Sequence, residues 1–135
     1  MTQAFEGIRI VDFSQVLAGP FASGQLAMLG ADVIKVEQPG VGDQMRTTMA
    51  NNKLADLKLS PGFMGVNANK RAITVDLKHP DAKEIIHRLL ADADVLLENF
   101  KAGVIKRLGY DYDAVRAVKP DIIYCSVSGY GQQGP

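Results

Sequence analysis

The stretch Arg9–Glu37 (RIVDFSQVLAGPFASGQLAMLGADVIKVE) constrains the fold more than any other part of the chain. It opens on Ile8–Phe13, rich in Ile and Val with little alternation, the pattern of a strand buried on both faces of a parallel sheet. A helix follows from Pro20, where a missing N–H forfeits no partner. Phe21, Gln25, Met28 and Leu29 lie on related turns, and Gly30 is a natural stop before a second strand at Val33, Ile34 and Val36. Strand, helix and strand this close together make a βαβ unit with a right-handed crossover. The turn between them, Ser14 to Pro20, lies where open α/β sheets place their ligands, at the carboxyl end of a strand and the amino end of a helix.

The rest of the chain continues this alternation. Gln38–Gly42 is turn chemistry, and from Asp43 to Gly65 periodicity fades, which predicts a long surface loop with one short helix. Asn67–Lys70 turns into a strand at Ala72–Leu77. His79 and Pro80 open an amphipathic helix with Ala82, Ile85, Ile86, Leu89 and Leu90 on its apolar stripe. A short strand at Val95–Leu97, short helices at Gly103–Leu108 and from Asp111 to Val118, and a strand at Ile122–Val127 complete the series. No linker divides the chain, and the pattern is that of one α/β domain with a mostly parallel sheet.

The 135 residues carry 15 Lys and Arg against 15 Asp and Glu. No overall basic field therefore draws nucleic acid or an anionic membrane, and any anion site must be local. The single Cys excludes an internal disulfide framework and suits a reducing compartment, the cytoplasm. Met1–Gly7 has no signal-peptide character, and no apolar run reaches membrane-spanning length.

Most chemistry-bearing side chains have ordinary readings. The turn offers only Gly19 where a dinucleotide fingerprint needs three glycines, and Glu37 is a solvated strand end or the partner of a nearby base. His79 and His87 belong to a helix start and a helix surface. Cys125, inside an apolar strand, reads as an inert core thiol. Ser14 and Ser128 lack an obvious base, Asp12 makes a strand-end hydrogen bond, and no spacing suggests a metal site. Arg46, Lys70, Arg71, Lys101, Lys106 and Arg107 cluster near strand ends, where they either receive phosphates or form a solvated face.

Seven motifs, in order, are recognisable: Gly7–Pro20 (GIRIVDFSQVLAGP), Leu29–Glu37 (LGADVIKVE), Gly42–Arg46 (G-D-x-x-R), Asn67–Lys78 (N-x-N-K-R-x-I-x-x-D-L-K), Ala93–Phe100 (A-D-V-L-x-E-N-F), Arg107–Gly109 (R-L-G) and Ser126–Pro135 (S-x-S-G-Y-G-Q-x-G-P). Together they resemble the amino-terminal part of the family III CoA-transferases, which share a fold with the α-methylacyl-CoA racemases. Each motif is weak alone, and their succession is specific.

The resemblance implies a Rossmann-like, open, mostly parallel sheet flanked by helices, forming part of a large domain whose subunits interlock as a homodimer. Residues 1–135 would be its amino-terminal part, cut after the last motif and inactive alone. CoA and acyl-CoA would be substrates rather than prosthetic groups, with a carboxylic acid as acceptor. By matching positions, Asn69, Lys70 and Arg71 would line the adenine and phosphate region, Asn99 and Phe100 the pantetheine path, and Arg107 would contact a phosphate. Val16 and Leu17 would stand at the acyl end. The family's nucleophile is an aspartate beyond the last motif; Asp12, Asp32, Asp43 and Asp76 do not match it, so no catalytic residue is assigned here. Leu17 replaces a glutamine of some members and Gln38 an arginine. Glu98–Phe100 and Ser128–Gly131 look more like transferases than racemases, the second reading; a non-catalytic CoA-binding or subunit-interaction piece is the third.

Overall fold

The computed structural model describes residues 2–48 and 51–133. Its strands are β1 (Arg9–Asp12), β2 (Asp32–Glu37), β3 (Arg71–Thr74), β4 (Val95–Glu98) and β5 (Ile123–Ser126). They form one sheet of order β3-β2-β1-β4-β5, with every neighbouring pair parallel. The chain therefore runs outward from β1 to β3, returns to the far side of β1, and runs outward again. This reversal leaves a switch point between β1 and β4.

Alternation along the strands feeds two cores. Ile10 and Val33 face α1 (Ala18–Met28) and pack with Ala27 and Ala31. Val11, Phe13, Val36 and Leu96 face the other way, toward Ile86 and Leu90 of α4 (Ala82–Ala91), Ile105 of α5 (Val104–Leu108) and Val115 of α6 (Tyr112–Val118). The central strand is thus buried on both faces, as its unbroken apolar run requires.

Three expectations need correction. Helix α1 starts at Ala18, with Pro20 as its third residue; the proline still falls among the N–H groups that lack a helical acceptor. The stretch from Asp43 to Gly65, apart from residues 49 and 50, which lie outside the described ones, is a series of short, side-chain-capped elements. They are a 3₁₀ turn at Gln44–Arg46, α2 (Asn52–Asp56) and α3 (Pro61–Asn67), whose first N–H groups are received by Asp43, Asn51 and Ser60. Each is too short to show periodicity. Cys125 is exposed rather than in the core. On β5, Tyr124 packs inward against the α4–α6 side while Ile123, 64% exposed, points to a face that no helix covers among the described residues, and Cys125 shares that face by alternation.

Helices α1 and α3 meet through a glycine. A Cβ placed on Gly24 would lie 2.6 Å from the carbonyl oxygen of Val66, whereas one on Gly65 would meet nothing within 4 Å. Gly65→Ala should stabilise the chain by about 0.5–1 kcal/mol through helix propensity. Gly24→Ala should cost a net of about 1–3 kcal/mol because the backbone contact must open. Urea midpoints of the two variants check this, and equal stabilisation by both would contradict the close contact.

Candidate functional site

Beyond the last ladder bond, from Phe13 N–H to Leu97 O at 2.8 Å, the chains leaving β1 and β4 separate. Asn99 spans the gap. Its Oδ1 accepts from Gln15 N–H at 2.9 Å and its Nδ2 donates to Gln15 O at 2.8 Å. The next residue, Val16, has φ +71°, a left-handed conformation costly for a β-branched residue. Its N–H donates to Asp43 Oδ1 at 3.0 Å.

Charges buried between the sheet, α1 and the 3₁₀ turn support this bend. Lys35 Nζ lies 2.8 Å from Asp43 Oδ2, with side chains 1% and 0% exposed, and donates to Ser14 O at 2.7 Å. Asp12 accepts from the N–H and hydroxyl of Ser14, from Ser23 Oγ at 2.6 Å and from Lys70 Nζ at 3.1 Å. Glu37 receives Arg46 through both guanidinium arms at 2.6 and 2.7 Å, and Asp43 N–H at 2.8 Å. The Arg46 guanidinium stacks 3.8 Å over the Phe63 ring.

Burial raises the pKa of Glu37 and of Asp43, but their partners outweigh it. The Arg46 fork and the Asp43 N–H hold Glu37 below the usual range, and Lys35 with the Met45 and Val16 N–H groups does the same for Asp43. Burial pulls the Lys70 ammonium below its usual range against the attraction of Asp12.

Above the carboxyl ends of the strands runs a groove. Its middle is a narrow slot of about 150 Å³ walled by Phe13, Val36, Leu77, Phe100, Val104 and Leu108. Leu77, Lys78 and Leu108 also line a recess of about 460 Å³ that adds Lys83 and Arg107. Phe100 leads the other way into a trough of about 580 Å³ between Asn99 and the Gly129–Gly131 loop. Lys78, Lys83 and Arg107 make no ion pair among the described residues. The groove is thus cationic at one end and polar at the other, and its middle joins the apolar walls of the slot to Glu37, Gln38 and Asp76.

The structure brings Asn99, Phe100 and Arg107 onto this groove, with Val16 and Leu17 exposed on the bend beside it. Asn69, Lys70 and Arg71 lie at the opposite, amino end of β3 and are engaged internally. Asn69, at φ +62°, donates to Ala27 O at the end of α1 at 2.7 Å, Lys70 is held by Asp12, and Arg71 forks onto Asp32 at 2.8 and 2.7 Å. The last two residues of the final motif, Gly134 and Pro135, lie outside the described residues. Sequence reasoning passed over Lys78 and Lys83; the available signal was that Lys78 follows β3, at the carboxyl end where ligands bind, whereas Lys70 and Arg71 precede or open it. It also passed over Lys35, a charge inside a doubly buried strand. Among the described residues no group of His, Cys, Asp and Glu is placed to hold a metal ion.

The family model described as CoA-transferase family III matches residues 5–135. The chain belongs to this family. It is 46% identical to an acyl-CoA transferase of Fusarium pseudograminearum, over 98% of this chain and 30% of that protein. It is 45% identical to a formyl-CoA:oxalate CoA-transferase of Bradyrhizobium sp., over 97% of this chain and 30% of that one. A crystal structure of a CAIB/BAIF family protein from Brucella suis superposes with a TM-score of 0.89 at 39% identity, over 100% of this chain and 36% of the other. The chain spans about 30% of the length of these curated relatives. Family III membership fits the α/β fold with its parallel five-stranded sheet.

Glu37 and Asp43 have folded pKa values below their unfolded ones. Their contribution is complete above the unfolded values, about 4, and is lost as pH falls through the lower folded values. Stability should therefore decline from near pH 4 downward. Glu37→Gln should cost about 1–3 kcal/mol at neutral pH and flatten the acid limb. Urea midpoints between pH 3 and 7 test this; an unchanged acid limb in the variant would contradict the assignment.

Proposed function

We propose that this chain is the CoA-binding, amino-terminal part of a CoA-transferase that moves CoA between an acyl thioester and a carboxylic acid. The groove carries the reading. CoA is polyanionic at its nucleotide end, slender along pantetheine and reactive at its sulfur. The groove offers, in that order, the cations Lys78, Lys83 and Arg107, which make no ion pair among the described residues, a slot between Phe13 and Phe100, and the bend at Gln15–Leu17 beside Asn99.

In this reading Arg107 presents a planar fork to phosphate oxygens, while Lys78 and Lys83 act as point charges. Phe100 and Leu108 exclude water from the pantetheine arm. Leu17 cannot donate a hydrogen bond, so it gives the acyl group an apolar wall. Asn69 and Lys70 act from beneath, by fixing the end of α1 and Asp12, and Arg71 stays at the amino edge with Asp32. The nucleophile is an aspartate from outside these 135 residues. Its carboxylate attacks the donor acyl carbon and expels CoA thiolate. The thiolate then attacks the aspartyl carbonyl of the resulting anhydride and releases the donor acid. The acceptor carboxylate repeats the sequence in reverse, through a second anhydride. This chain's share is to hold CoA in place while its sulfur is covalently free.

The protein works as a cytoplasmic homodimer in this reading. Supporting the dimer, α1 is apolar on its outer side as well: Phe21 and Met28 are 53% and 58% exposed. No helix among the described residues is long and apolar enough to cross a membrane.

Calorimetric titration of the chain with CoA should give saturable heat, and none up to millimolar CoA would count against binding by this part. Arg107→Ala should weaken CoA about 10- to 100-fold through loss of a charge-assisted contact, while Arg71→Ala leaves it unchanged. The reverse pattern would move the phosphate site to the amino end of β3. Sedimentation should show self-association, and a monomer at all concentrations would refute the dimer.

A further inference from the structure

We infer that Asp43, charge-matched in the interior by Lys35, is a positioning residue that sets the bend Gln15–Leu17 for the acyl group through the N–H of Val16. This rests on the CoA-binding reading above. Neither side chain can touch a ligand, since they are 1% and 0% exposed. What they touch is the bend. Lys35 Nζ fixes Ser14 O at 2.7 Å, and Asp43 Oδ1 fixes the N–H groups of Val16 at 3.0 Å and Met45 at 2.9 Å.

Three observations point to positioning rather than simple cohesion. A fully buried ion pair is a poor source of stability, because its desolvation penalty offsets its attraction and an apolar pair of similar volume often does better. Val16 is held at φ +71°, and such a residue keeps that conformation only where its surroundings over-determine it. Packing does not supply that determination, because Val16 and Leu17 are 39% and 55% exposed. The bend is instead held by polar contacts from two sides, Asn99 of the β4 side on Gln15 and Asp43 of the β2 side on Val16. With Leu17 standing at the acyl end, a displacement of the bend alters how the acyl group is held and leaves the phosphate end of the groove as it was.

Two double variants of the chain separate these roles. Lys35→Met/Asp43→Leu fills the volume without an acceptor; Lys35→Met/Asp43→Asn keeps an amide oxygen for Val16 and Met45. Amide hydrogen exchange at Val16 reads the bend without any ligand, and the ratio of acetyl-CoA to CoA dissociation constants reads the acyl end. In the Leu variant, exchange at Val16 should accelerate at least tenfold and the ratio should rise several-fold, with CoA affinity within twofold of wild type. In the Asn variant, both readouts should stay within twofold. A folded Leu variant with wild-type exchange and ratio overturns the inference. If the Leu variant does not fold, the Asn variant decides alone: a tenfold change in its Val16 exchange overturns the role of Asp43, and wild-type exchange sustains it. If wild-type chain binds no CoA, the CoA reading fails, while the exchange measurement still judges the grip on the bend.

Discussion

β1 is hydrogen-bonded in parallel to β2 on one side and β4 on the other, and past its carboxyl end the chain bends away from both, although β2 runs on to Glu37 and β4 to Glu98. The backbone groups of Gln15 and Val16 must still be satisfied. Asn99 supplies both a donor and an acceptor to Gln15, and Asp43 supplies an acceptor to Val16, so the bend is made of side-chain substitutes for a missing ladder. The crevice that opens there is a consequence of strand order, and the side chains only decide its shape.

Motifs that look independent along the chain converge on that support. Ser14 comes from the first motif, Lys35 and Glu37 from the second, Asp43 and Arg46 from the third, and Lys70 from the fourth. They meet in adjoining hydrogen-bonded clusters beneath α1 and around the 3₁₀ turn. The residues that give this family its recognisable pattern are therefore mostly internal. They balance one another's charge out of water, where an unpaired member would cost several kcal/mol. The groove takes apolar walls from Phe13 and Val36 of the first two motifs, Lys78 from the end of the fourth, and Asn99, Phe100 and Arg107 from the later ones.

This division explains what could be read from sequence. Long apolar runs and the amphipathic α4 revealed the alternation of strands and helices, because burial imposes a period. The caps at Asp43, Asn51 and Ser60 organise elements too short to have one, so the stretch around them read as a loop. Cys125 read as buried because its strand is apolar; periodicity cannot show that a sheet face lacks a covering helix. Of the site, Asn99, Phe100 and Arg107 follow β4 and its helix, and so reached the groove. Asn69, Lys70 and Arg71 were picked by type and motif, while their engagement with Ala27 O, Asp12 and Asp32 comes from the path of β3, which is a property of topology.

Charge distribution joins the neutral composition to a polyanionic ligand. At the amino edge of the sheet Arg9 and Arg71 share Asp32, at 2.9 and 2.7 Å, so two cations there are spent on an internal anion. Lys35, Arg46 and Lys70 are neutralised by Asp43, Glu37 and Asp12 beneath α1. Lys78, Lys83 and Arg107, in contrast, line the carboxyl-end recess without an acidic partner among the described residues. A chain with 15 basic and 15 acidic side chains can thus present a local positive field at one end of its sheet. Next to low-dielectric walls such as Phe100 and Leu108, that field is focused rather than dispersed. The zero net charge excludes indiscriminate binding of polyanions while leaving room for one anion-tipped ligand whose apolar arm also fits the slot.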